Sequence, residues 1–176
     1  MEPPAWNPPW DKAAVSGSSY HWTGVIIIVN TLSHFVLLIE DDPNDVLLLQ
    51  RAFRKAGVNT PMRVLNDGQA AVDYLAGHGA YADRDIHPLP SLVLLDLKLP
   101  RKSGHEVLEW LRAQPALKRM PVVLLTSSKE PMDINRAYEL GANSYLVKPV
   151  AFAELLNMAR ALELYWLKLN ESPTLH

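Results

Sequence analysis

Leu92-Val93-Leu94-Leu95-Asp96-Leu97-Lys98-Leu99-Pro100 is the stretch on which the fold turns. Four apolar residues in a row, too few for a helix and bounded by Ser91 and Asp96, read as a strand buried on both faces, as in the centre of a parallel sheet. Similar runs flank it. Phe35–Ile39, Met62–Leu65, Val122–Leu125 and Ser144–Val147 are short and apolar or β-prone, and a helical pattern follows each. Alternation of this kind is the signature of βα units.

Five helices are predicted between and after these strands. The first has Asp42 as its N-cap, carries Val46, Leu49 and Phe53 on one face and stops at Gly57. The second runs from about Gln69 to Ala76, the third from Gly104 to Ala113, and the fourth from Met132 to Leu140 before Gly141. The fifth starts after Pro149, and its stripe Phe152, Leu155, Ala159, Leu162 and Trp166 predicts one continuous helix reaching Leu169. A (βα)5 count points to an α/β, flavodoxin-like doubly wound fold with a parallel five-stranded sheet of order 2-1-3-4-5, whose ligands sit beyond the carboxyl ends of the strands.

The remainder sets the boundaries. At 176 residues one domain with appendages is expected: an N-terminal extension over 1–34, a folded unit over 35–169 and a C-terminal tail over 170–176. The extension, rich in Pro, Ser and Gly, is read as a largely flexible leader, and its Val25–Val29 run as either an extra strand or a packing arm. A formal net charge of −2 argues for neither nucleic acid nor membrane. The chain has no cysteine, which excludes disulfides, thiolate metal sites and a cysteine nucleophile, and makes the cytoplasm the expected compartment. No apolar run approaches the roughly 20 residues that span a bilayer.

The residues that follow the strands carry the chemistry: Glu40-Asp41-Asp42, Asp96, Thr126-Ser127-Ser128 and Lys148-Pro149. Each alone has an ordinary explanation as a helix cap, a turn former, a β-branched strand residue or a solvated lysine. Together they converge on one sheet edge. Carboxylates gathered there repel one another unless a cation compensates, and a hard divalent ion, Mg²⁺, suits an all-oxygen site that also meets phosphate. Phosphoryl transfer follows, with Asp96 as nucleophile, Mg²⁺ and the Lys148 ammonium offsetting charge, and Thr126 donating to a phosphoryl oxygen.

Val36-Leu37-Leu38-Ile39-Glu40-Asp41-Asp42, Leu94-Leu95-Asp96-Leu97-Lys98-Leu99-Pro100 through Gly104, Leu125-Thr126-Ser127 and Tyr145-Leu146-Val147-Lys148-Pro149 resemble the response-regulator receiver family over about Phe35 to Lys168. The resemblance implies that Asp96 takes a phosphoryl group from a histidine kinase. It implies that Glu40, Asp41, Asp96 and the Lys98 backbone carbonyl hold Mg²⁺, and that Thr126, Lys148 and Tyr145 sense the phosphate. It further implies that Lys98 and Ser128 tune dephosphorylation, and that the Lys148-Pro149 bond is cis. The long connection Gly77–Pro90 and the aromatic segment Leu164-Tyr165-Trp166-Leu167 are similar to single-domain regulators that accompany bacterial phytochrome kinases, which makes a bacteriophytochrome the implied partner. His78 and His87 in that connection are expected to be solvent-exposed rather than chelating.

Rival readings fit less well. A flavin or nucleotide module needs a Gly/Ser/Thr-rich loop after the first strand, where Glu40-Asp41-Asp42-Pro43 repels phosphate instead. A phosphatase with true turnover and a phosphorylation-independent scaffold are the other two, the latter at odds with the complete acid, hydroxyl and lysine set. Only Asn170–His176 follow the fifth helix, so no DNA-binding output is expected. A helix reaching Leu169 would overhang the sheet, and the apolar residues Leu156, Leu164, Tyr165, Trp166 and Leu167 then predict a homodimer through helix four, strand five and helix five.

Overall fold

The computed structural model describes residues 34–173; the leader expected over 1–34, with its Val25–Val29 run, lies outside them up to His34, as does the end of the tail. Strands and helices alternate as β1 (Val36–Ile39), α1 (Pro43–Ala56), β2 (Met62–Leu65), α2 (Gly68–Ala76), β3 (Leu92–Leu95), α3 (Gly104–Ala113), β4 (Val122–Thr126), α4 (Pro131–Glu139), β5 (Ser144–Val147) and α5 (Phe152–Leu162). All strand pairs are parallel, in the expected order β2-β1-β3-β4-β5. Every residue of β1, β3 and β4 is buried, whereas the edge strands β2 and β5 are only partly so.

The period-two alternation of a strand divides the core in two. Leu37, Ile39, Val93, Leu95, Val122 and Leu124 face one side, with Val72 and Leu75 of α2 and Val107 and Leu111 of α3. Val36, Leu38, Leu92, Leu94, Val123 and Leu125 face the other, with Leu49 and Phe53 of α1 and Leu155 and Leu162 of α5. Caps fix where the helices begin. The Asp42 side chain accepts from the Asn44 amide and Asp67 from the Ala70 amide, while Ser103 and Glu106 form a reciprocal capping box at the start of α3.

Two stretches depart from expectation. Beyond Leu162 the chain keeps turning, but as a π-helix over Glu163–Leu169. Glu163 and Lys168, five residues apart, pair at 3.3 Å across its wider turn, and Trp166 and Leu167 both reach the α1–α5 side of the core. The expected overhang is therefore smaller, because the wider winding brings two adjacent side chains inward. The second is Gly77–Pro90, which contains a 3₁₀ turn at Gly79–Tyr81 and is tied down by side chains. Arg84 donates to the carbonyls of Tyr74, Leu75 and His87 at 2.8, 2.6 and 3.1 Å, and the Tyr74 hydroxyl donates to Pro88 O at 2.8 Å. His78 is exposed as expected, whereas the partly buried ring of His87 packs edge-on against Tyr74 and Tyr81.

Candidate functional site

β1 and β3 are neighbours with Ile39 opposite Leu95, so the residues that leave these strands, Glu40 and Asp96, emerge side by side. Their backbones are held by the continuing ladder: Asp96 N–H donates to Ile39 O at 3.0 Å and Glu40 N–H to Leu65 O at 2.9 Å. Glu40 is 3% exposed and Asp96 6%. Carboxylate oxygens of Glu40, Asp41 and Asp96 lie within 4.8 Å of one another, with Asp41 on the solvent side. Burial pushes the Glu40 carboxyl above the ordinary range, and Lys148 offsets this only in part. Two buried acids and one exposed acid, all offering oxygen, fit a hard divalent cation that keeps water on its open side.

Lys148 leaves β5 and reaches across the sheet edge into this group. Its Nζ donates to Glu40 Oε2 at 2.5 Å and to Asp45 Oδ2 at 2.7 Å, and lies 3.7 Å from Asp96 Oδ2. Burial alone would lower the ammonium pKa, but the bonds to Asp45 and Glu40 and the charge of Asp96 override it and hold it above the ordinary lysine value. Asp96 Oδ1 accepts from the Leu97 amide at 2.8 Å, which fixes the carboxylate plane. The other oxygen faces the lysine and the pocket.

Thr126 closes β4, fully buried, and its Oγ1 accepts a 3.5 Å contact from the Ser128 amide. Ser128 is also buried, and its hydroxyl donates to Asp133 Oδ2 in α4 at 2.5 Å. Tyr145 in β5 donates its hydroxyl to Ser128 O at 3.1 Å, so the ring spans from strand five to the β4–α4 loop. Burial raises the Tyr145 pKa, and the phenol stays a donor. The Lys98 side chain is exposed in the turn after Asp96. The cis Lys148-Pro149 bond is corrected: there is no cis peptide among the described residues, and that bond is trans. Trans is the ordinary isomer even before proline, favoured by about 0.5–1 kcal/mol.

Three contributors went unread in the sequence. Asp45, in the first turn of α1, carried no signal beyond a favourable charge at a helix start. Asp133 holds Ser128 from the next helix. Asp67 both caps α2 and pairs with Arg101, which sits at a positive φ of 66° in the β3–α3 loop. Burial would raise the Asp67 carboxyl, but Arg101 and the Ala70 amide outweigh it and hold it below the ordinary aspartate range. The Asn66-Asp67-Gly68 turn was the available cue. Glycine is required at 104, since a Cβ there would lie 2.1 Å from Asp96 O, so α3 starts directly against the backbone of the central acid.

On the α4–β5–α5 side the residues expected at a dimer face divide. Leu164 and Tyr165 are 54% and 56% exposed, Leu156 is half-buried, and Trp166 and Leu167 pack against the core.

The Response regulator receiver domain model matches residues 36–160. The Probable methanogenesis regulatory protein FilR2 of Methanothrix harundinacea is 41% identical over 138 residues, 78% of this chain and 86% of the relative. Response regulator Rcp1 of Synechocystis is 39% identical over 133 residues, 76% and 88% of the two chains. Among solved structures, the Mn²⁺-bound form of Rcp1 superposes with a TM-score of 0.72 at 38% identity, covering 80% of this chain and 99% of that one. The phosphorylated cyanobacterial phytochrome response regulator RcpA superposes with a TM-score of 0.74 at 35% identity, covering 81% and 99%. With strand order, acidic pocket and family match in agreement, this chain belongs to the response regulator receiver domain family.

Proposed function

We propose that the protein is a single-domain phospho-acceptor switch of a two-component phosphorelay, taking a phosphoryl group from a histidine kinase onto Asp96. The observation that carries this is the juxtaposition of Glu40, Asp41 and Asp96 with Lys148 at the ends of three strands. One oxygen of Asp96 attacks the phosphorus of the donor, the P–N bond to the donor imidazole breaks, and an acyl phosphate forms. Glu40, Asp41 and Asp96, with the Lys98 backbone carbonyl, would hold Mg²⁺. When bound, the ion neutralises charge on the transferring phosphoryl oxygens. Lys148 and Thr126 would take the other oxygens, and Tyr145 would follow Thr126 through the β4–α4 loop. Lys98 and Ser128 would tune the return of phosphate to water, and the chemistry proposed for the chain is its own phosphorylation and dephosphorylation.

The phytochrome link rests on the likeness to RcpA and to the response regulator RPA3017 in red light signalling of R. palustris, and makes a bacteriophytochrome kinase the proposed partner. Exposed Leu47 and Leu48 of α1, Met132 at the start of α4 and Val150 in the β5–α5 loop all lie at the same end of the sheet, a rim suited to a protein donor. No helix among the described residues is long and apolar enough to cross a membrane, and the proposed compartment is the cytoplasm. Output is proposed to go through protein contacts on the receiver surface. A homodimer is proposed on the α4–β5–α5 face around Leu156, Leu164 and Tyr165, with Trp166 and Leu167 supporting that face from the core side. Calorimetric titration tests the pocket: Asp41→Asn is expected to weaken Mg²⁺ binding about tenfold or more through loss of an anionic ligand, and unchanged affinity contradicts the assignment. Light scattering tests the face, where a dimer at tens of micromolar (~10⁻⁵ M, ordinary for transient association) should fall to monomer on Leu164→Glu with Tyr165→Glu; a wild type that stays monomeric contradicts it.

A further inference from the structure

We infer that Asp45 is a positioning residue that parks the Lys148 ammonium away from Asp96 in the resting switch, and so sets how readily the lysine passes to the phosphoryl group. The inference rests on the phospho-acceptor reading of Asp96 and concerns the regulation of that same pocket.

Asp45 is the third residue of α1, where a carboxylate ordinarily turns back to cap its own helix. Here that role is filled. The Asp42 amide is taken by Glu40 Oε1 at 3.2 Å, and the Asn44 amide by the Asp42 side chain at 2.8 Å. Asp45 instead reaches over the sheet edge to a residue 103 positions away, and accepts from Lys148 Nζ at 2.7 Å. The ammonium is thus hydrogen-bonded to Asp45 and Glu40 but lies 3.7 Å from Asp96 Oδ2, too long for a hydrogen bond.

Two consequences follow. Asp96 Oδ2 faces the lysine at ion-pair distance but accepts no hydrogen bond from it, which keeps its lone pairs available to a donor. After transfer, the new phosphoryl oxygens compete with Asp45 for the same ammonium, and the strength of the Asp45 contact subtracts from the binding of phosphate. The lysine stem is loosely packed on its Asp45 side. A cavity of about 40 Å³, enough for one water, lies against its stem and is lined by Asp45, Leu48, Leu125 and Pro149. Of the two partners Asp45 is the more exposed, with 38% of its side chain open against 3% for Glu40, so it is the one whose contact can be given up at least cost to a buried charge.

The test uses the full chain with saturating Mg²⁺ and beryllofluoride as the phosphoryl stand-in, with the bound fluorine signal read by ¹⁹F NMR. Asp45→Asn should bind beryllofluoride about fivefold tighter than wild type, the scale of one ion pair, and Asp45→Glu should lie near wild type. In a Lys148→Ala background the gain from Asp45→Asn should disappear, because there is no ammonium left to release. An Asp45→Asn variant that binds no tighter overturns the inference, and so does a gain that persists undiminished in the Lys148→Ala background, since that would be through-space charge alone. A wild type with no bound fluorine signal overturns the acceptor reading and this inference with it.

Discussion

Lys148 and Arg84 are both half-buried cations in loops next to the sheet, one after β5 at the carboxyl end of the strands and one before β3 at the amino end, and they are spent differently. Arg84 divides its guanidinium among three neutral backbone carbonyls, each with a fixed place in the fold. Lys148 holds two carboxylates and faces a third, so several acidic partners stand around one ammonium. An arginine whose partners cannot be traded is a fastener. A lysine whose partners compete is a movable charge, and it sits against a Glu40 carboxyl that burial, and to a lesser degree the neighbouring Asp96, pushes above the ordinary range. Structure lives at one end of the sheet and chemistry at the other, as in doubly wound folds generally.

Substitution separates the two. Arg84→Ala strands the Leu75 and Tyr74 carbonyls and loosens the Gly77–Pro90 connection, so stability should fall by about 3 kcal/mol, with Mg²⁺ affinity unchanged; urea unfolding and calorimetry check both. An Arg84→Ala protein of wild-type stability would break the comparison. Lys148→Ala should do the reverse. Its cost in stability is expected to stay near 1 kcal/mol once Mg²⁺ compensates the acids, while Mg²⁺ binds about threefold tighter because a competing cation has left Glu40, as linkage requires. Weaker Mg²⁺ binding in Lys148→Ala would mean that the lysine orders the carboxylates instead of competing for them.

The fold was legible because each strand is a short apolar run closed by a polar residue, and each helix has its own cap and stop, all local features. Glu40, Asp96, Thr126 and Lys148 were legible for the same reason: each is the first residue past an apolar run or its last. Asp45, Asp67 and Asp133 were not, because what gives them meaning is a partner brought close only by folding. Lys148 is 103 residues from Asp45, and Arg101 is 34 from Asp67. The π-helical tail escaped too. An apolar stripe ending in Leu-Tyr-Trp-Leu suits either winding, and the choice is made by packing Trp166 and Leu167 on the core. Position 149 is a reminder that a motif shared with a family carries over residue types more securely than backbone isomers.

The central claim is that Asp96 is a phospho-acceptor, and intact-mass analysis after incubation with acetyl phosphate and Mg²⁺ addresses it most directly. Wild type should gain one phosphoryl group, lose it again when donor is removed, and gain none when Mg²⁺ is chelated; Asp96→Asn should remain unlabelled under all conditions. A label that persists on Asp96→Asn, or a wild type that takes none with donor and metal in excess, would contradict the account.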